Sequence, residues 1–109
     1  MIRRGHIVVV ATQGDAGKPR PALVVQSDLF APLPSVAICP ITSTLREDSE
    51  LLRVDIEATS KNGLRLPSQI SVDKMTTVRR DKIGGIIGDV DDATILRVNR
   101  ALAVLLGLA

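Results

Sequence analysis

Tryptophan and tyrosine are absent from this chain, and Phe30 is its single aromatic residue. The core must therefore be aliphatic. Any groove for single-stranded nucleic acid has almost no ring on which to stack a base. It would have to use arginine planes, aliphatic surface and hydrogen bonds. Cysteine is scarce as well: Cys39 stands alone, so an intramolecular disulfide is impossible and an oxidising compartment is not implied. Its place in an apolar stretch suits a buried, inert thiol. His6 is the one histidine, and no pair of histidines or cysteines has metal-ligand spacing. There is no Walker loop and no dinucleotide fingerprint. These absences argue against a metal hydrolase or a nucleotide-dependent enzyme, and no metal or cofactor is expected. Nothing approaches the roughly 20 apolar residues of a membrane-spanning helix. The basic start Met1-Ile2-Arg3-Arg4 leads into an apolar run at 7–11 that is too short for a signal peptide. A cytoplasmic protein with no membrane association is expected.

What remains is a chain of 109 residues, 45% of them hydrophobic. That composition predicts one folded domain over 1–109 with one core. The formal charge of +2 is unevenly spread. Residues 1–20 carry four basic and one acidic side chain, and residues 61–82 carry six basic and two acidic. Residues 28–60 carry two basic and six acidic. Folding can bring the two basic segments together as one positive surface.

Short strands dominate the pattern. Ile7-Val8-Val9-Val10, Ala22-Leu23-Val24-Val25 and the stretch from Ser35 to Ile41 are apolar runs separated by loops. Residues 52–57 alternate, with Leu52, Val54 and Ile56 on one side and Arg53, Asp55 and Glu57 on the other. Such alternation predicts a half-buried antiparallel strand. Asn62-Gly63 marks a turn. Beyond it Leu64, Leu66, Ile70 and Val72 are expected to share a face, with Pro67 placing the start of that strand at an edge or bulge. Residues 77–82 suggest a short helical turn, and residues 83–88 a buried strand whose glycines allow close backbone approach. A final helix is predicted from an Asp91 or Asp92 cap through about Leu106, stopped by Gly107. Ile95, Val98, Leu102 and Leu105 form its apolar stripe. The fold class is mainly β with α: a small twisted antiparallel sheet, partly closed like a barrel, with the C-terminal helix packed on it.

The candidate site begins at Arg20. Pro19 and Pro21 stiffen the backbone on either side of it, just where Ala22 starts a buried strand. A guanidinium keeps its charge at any accessible pH and forks onto two oxygens of a phosphate or carboxylate. The strand from Ser35 ends in three hydroxyls, Thr42, Ser43 and Thr44. These can cap a turn or donate to phosphate oxygens.

The order of these segments carries a resemblance. Arg4-Gly5 leads into the strand at 7–10 and a Gly-rich loop at 13–17. Then come Pro19-Arg20-Pro21-Ala22-Leu23-Val24-Val25-Gln26-Ser27-Asp28, a second loop, and Ile38-Cys39-Pro40-Ile41-Thr42-Ser43. In that order and spacing the chain resembles the MazF/PemK family of bacterial toxins, which are sequence-selective endoribonucleases. The likeness continues through Leu66-Pro67-Ser68-Gln69-Ile70-Ser71-Val72-Asp73-Lys74 and the closing helix. It implies an SH3-like partly closed barrel assembled as a homodimer, single-stranded RNA as substrate, and an acidic antitoxin segment as inhibitor. It also implies that Arg20 and Thr42 are the catalytic pair, with Asp15 at a position where relatives often carry an acid. His6 departs from the Asp or Glu that relatives commonly carry after Arg-Gly, and it is a second candidate for acid–base or orienting work. Lys18, Ser43, Gln69 and Arg79 are candidate RNA contacts. Related CcdB-type gyrase poisons share the architecture but carry a tryptophan before the C-terminal glycine, where this chain has Leu106-Gly107. A catalytically inactive regulatory homologue is the other alternative.

Overall fold

Residues 7–10 and 22–25 are unbroken apolar runs, and in the computed structural model, which describes residues 1–11, 18–48 and 51–109, they lie in or beside strands buried on both faces. The strands are β1 (His6–Ala11), β2 (Pro19–Val24), β3 (Ser35–Thr42), β4 (Arg53–Ile56), β5 (Ser68–Ser71), β6 (Thr76–Arg79) and β7 (Ile83–Asp89), followed by the helix α1 (Asp92–Leu105). All seven join one antiparallel sheet in the order β4-β5-β3-β2-β1-β7, with β6 paired to the first half of β3. β3 thus has two partners on one edge: β6 along Ser35 to Ile38, and β5 along Ile41 and Thr42. Pro40 falls between them, where the change of partner leaves no ladder bond for the missing N–H to make.

The sheet buries two apolar clusters rather than the one expected. Ile7, Leu23, Cys39, Ile41, Ile70 and Val98 belong to the cluster beneath α1. Val8, Val10, Ala22, Val24, Val36 and Ile38 form the other, on the opposite face of the same strands. The continuous runs in β1 and β2 are the reason: a strand with both faces covered cannot alternate. Burial pushes the Cys39 thiol up to about 12, outweighing the opposing pull of Arg4, so it is protonated and inert near neutrality, as its sequence context suggests.

Four local expectations are corrected. Arg53 does not face solvent: its side chain is 4% exposed, with Nε 3.0 Å from Asp73 Oδ1. Leu66 is exposed, and only Leu64, Ile70 and Val72 of its predicted face pack on the core. Residues 76–79 are strand, with the helical turn confined to Arg80–Lys82. β7 is a largely exposed strand in which Ile86 and Ile87 stand in solvent. One of its glycines is explained by a close approach: a Cβ at Gly88 would collide with the backbone of Lys61 and Asn62. The turn at 59–63 lies against β7 there, and Asp89 N–H donates to Lys61 O at 3.1 Å.

The helix starts and stops as its caps predict. Asp91 Oδ1 accepts from Thr94 N–H at 2.9 Å, and Gly107 takes φ +74° just beyond the last turn. Of the predicted stripe, Val98 is fully buried and Ile95 and Leu102 pack on the first cluster, while Leu105 lies toward solvent. Bonding to Thr94, first from its side chain and then from its backbone N–H, holds the Asp91 carboxyl below its usual range. A lowered folded value means that the cap stabilises above the unfolded value of about 3.9 and that its effect fades as pH falls through the folded value. The melting-temperature gap between the native protein and Asp91→Ala is therefore expected at pH 6 and should close on acidification below about pH 4. A gap that does not narrow at all on acidification would show that ionisation of the carboxylate does not matter to the cap.

Candidate active site at the parted ends of two strands

The ladder between β2 and β3 has a defined end. It pairs Val24 with Ile38, Leu23 with Cys39 and Ala22 with Pro40. Val25 N–H donates to Ala37 O at 3.1 Å, so the alternate residues 23 and 21 also turn their backbone groups toward β3. Pro21 has no N–H to give, and the recorded pairing stops there. Continued two steps past that end, the register would set Arg20 across from Thr42, on the side of the sheet that carries Ala22 and Pro40. The two prolines that stiffen Arg20 thus also withhold the bonds that would zip the strands shut around it.

The row continues across the sheet. Val10 of β1 faces Arg20, Gln69 of β5 faces Thr42, and Asp55 of β4 faces Gln69. Val10 is buried in the second cluster and forms an apolar wall on one flank. Arg20 is exposed and Thr42 half-buried, which suits a substrate lying across the sheet rim. The Thr42 hydroxyl accepts from Thr44 N–H at 3.1 Å, which leaves its own proton available for an anion.

The other candidates divide. Lys18 and Ser43 flank the pair in sequence and are exposed. Asp15 lies outside the described residues. His6 sits at the far end of β1, four residues from Val10, roughly 13 Å of extended chain, and its Nδ1 accepts from Arg3 N–H at 2.9 Å. Within one protomer it closes a turn rather than reaching the row. Arg79 pairs with Ser35, seven residues along β3 from Thr42, or roughly 23 Å of strand, and its guanidinium holds Asp81 at 2.7 Å. It does not join Arg20 within one protomer. Gln69 is at the row but 5% exposed. Its Oε1 accepts from Arg46 N–H at 3.0 Å, and its Nε2 donates to Arg46 O and Asp55 Oδ1, each at 2.9 Å. The amide is saturated internally, so it does not offer itself to RNA. Asp55 went unassigned at the sequence level because only the pairing of β4 with β5 brings it to Gln69.

A broad groove of about 1390 Å³ runs between β4 and α1, lined among others by Arg46, Asp55, Gln69, Arg97 and Arg100. It adjoins the row at Gln69 but includes neither Arg20 nor Thr42. The row is the better site because it combines a cation and a hydroxyl at a break in backbone pairing. Among the described residues, no group of three or more His, Cys, Asp and Glu side chains is placed to hold a metal ion.

This fold and site define a class, and sequence comparison gives the same one. A family model described as PemK-like, MazF-like toxin of type II toxin-antitoxin system matches residues 3–106. The chain belongs to this family of toxins. It is 41% identical over 109 residues to a probable endoribonuclease MazF of Mycolicibacterium smegmatis, covering 99% of both chains. The Mycobacterium tuberculosis toxin MazF-mt6 superposes with a TM-score of 0.81 at 26% identity, covering 95% of this chain and 98% of that one. A mycobacterial endoribonuclease in complex with its cognate antitoxin gives a TM-score of 0.83 at 24% identity, over 100% of this chain and 98% of its own. That last likeness speaks to the fold.

Proposed function

We propose that Arg20 and Thr42 bind the scissile phosphate of single-stranded RNA and that cleavage there proceeds without a metal ion. The chain is an endoribonuclease toxin of a type II toxin–antitoxin system. The observation that supports this assignment is that Arg20 and Thr42 each lie two residues beyond Ala22 and Pro40, the last pair of the β2–β3 ladder. RNA supplies its own nucleophile. The ribose 2′-oxygen forms a bond to phosphorus, the bond from phosphorus to the 5′-oxygen breaks, one proton leaves the 2′-hydroxyl and one reaches the departing oxygen. Arg20 would neutralise the non-bridging oxygens as charge builds on them, and the Thr42 proton would bond one of the same oxygens. An arginine is a costly proton donor near neutrality, so its part is electrostatic. Lys18 and Ser43, beside the pair in sequence, are assigned to the RNA backbone, and Asp15 keeps the acid–base or orienting role that its position in the family pattern implies.

Two assembly features belong to this reading. Ile86, Ile87, Leu96, Val104 and Leu106 are exposed apolar residues on β7 and near α1, and a second copy of the chain would cover such a surface in a homodimer. The inhibitor is an acidic, extended segment of the cognate antitoxin lying over the RNA groove and competing with substrate. No helix among the described residues is long and apolar enough to cross a membrane, and a cytoplasmic setting would bring the enzyme to its RNA.

Cleavage of a defined RNA in EDTA tests the reaction. The expected products carry a 2′,3′-cyclic phosphate on one fragment and a 5′-hydroxyl on the other. Activity that stops in EDTA and returns with magnesium or manganese would overturn the mechanism.

A further inference from the structure

We infer that Gln69 and Asp55 are positioning residues for the Thr42 hydroxyl. The inference rests on the site proposed above and extends it to two side chains that do not touch substrate. Thr42 ends β3, and residues 43–48 leave the sheet as an exposed segment. An exposed segment with no apolar anchor has little to fix it. Here the anchor is polar: the Gln69 amide grips Arg46 by both its N–H and its C=O. Between that grip and the strand end lies the Thr44 N–H, which holds Thr42 Oγ1. The hydroxyl is thus oriented by a short chain of bonds fastened at β5. Side-chain torsion about the Thr42 Cα–Cβ bond would otherwise choose among staggered positions, and the bond from the Thr44 N–H selects among them.

Asp55 settles which way round the amide sits. With Nε2 toward Asp55 and Arg46 O, every bond joins a donor to an acceptor. Turned over, the amide oxygen would face a carboxylate and a carbonyl, and the NH2 would face the Arg46 N–H. All three contacts would then repel. The carboxylate on β4 therefore fixes an amide on β5, which fixes the loop that follows β3. This also explains a buried glutamine in a small aliphatic sheet, since buried polar groups are retained when fully bonded.

Gln69→Glu keeps the size of the side chain and reverses one of its donors, so the loop loses its grip on Arg46 O and Asp55. In the full-length protein, the single-turnover cleavage rate at saturating RNA is expected to fall at least about tenfold, as when a reacting group is slightly misplaced. Half-saturation with RNA should change less than the rate, because Arg20 still binds phosphate. Repulsion of the new carboxylate by Arg46 O and Asp55 should also loosen the bond it still accepts from the Arg46 N–H, so amide exchange there should quicken. Adding Asp55→Asn restores one donor facing the new carboxylate and is expected to recover part of the rate, and a rate measured well below each variant's melting temperature keeps this apart from a recovered fold. If Gln69→Glu does not fold, Asp55→Ala at an exposed strand position gives the same reading through a slower rate with unchanged half-saturation. Unchanged rates in the folded variants would overturn the inference, as would an Arg46 amide that stays protected in Gln69→Glu. Arg20→Lys run alongside separates the two levels. If it is inactive while the Gln69 and Asp55 variants are fully active, this inference alone fails; if it is fully active, the site itself is misassigned.

Discussion

Arg20→Lys is expected to cut turnover by about a hundredfold to a thousandfold, the range seen when one positioned donor to a developing oxyanion is removed. Lysine preserves the charge, so binding of RNA should weaken only modestly. What it loses is the planar fork that bonds two phosphate oxygens at once from a backbone held by Pro19 and Pro21. The side chain is exposed at the sheet rim, so the fold and melting temperature should not change. Thr42→Val removes one hydroxyl bond and is expected to cost the same or less. Single-turnover cleavage of a short RNA with one cut site, beside a thermal melt, checks both variants. A lysine variant that cleaves at the native rate would remove Arg20 from the site.

The largest stability effect is expected far from the chemistry. Asp73→Ala leaves the Arg53 guanidinium, 4% exposed, without its carboxylate. An unpaired buried charge costs about 3–5 kcal/mol. Asp73 itself is 32% exposed, so water can approach from its side, and about 3 kcal/mol is the expected loss. For a domain of this size that lowers the melting temperature by more than about 10 °C. Arg53→Met in the same chain removes the stranded charge and is expected to recover much of the loss. A denaturant titration of the two single variants and the double variant measures the coupling. A loss under about 0.5 kcal/mol in Asp73→Ala would show that the pair behaves as a surface contact.

The strands that were easiest to read were those whose burial depends only on their own residues. β1 and β2 declare themselves by runs of valine, isoleucine and leucine, and the helix by its cap and its glycine stop. Misreadings arose wherever a partner from elsewhere in the chain decides the outcome. Arg53 alternates like a solvent-facing residue, and only the return of the chain at Asp73 buries it. β7 looks like a core strand from its isoleucines, yet it lies at the end of the sheet path with β1 as its one strand partner. Arg20 and Thr42 stand out in the sequence because each lies at the edge of an apolar run beside unusual local chemistry. For Gln69 the sequence does not show that its amide bonds Arg46 and Asp55, which only the fold brings to it. Arg79 was placed by its charge, and charge along a sequence does not reveal which end of β3 it will meet.

The pairing of β1 with β7 bears on how the protein is made. These strands are separated by more than 70 residues of chain, yet they hydrogen-bond side by side. The helix that covers the first apolar cluster comes later still. While a ribosome is extending the chain, β1 waits with one edge open, and the face beneath α1 stays wet until residues 92–105 have left the exit tunnel. Pairing of such sequence-distant strands is slow because the loop entropy must be met before any contact repays it. Cooperative closure of this sheet therefore waits until β7 and α1 have been made.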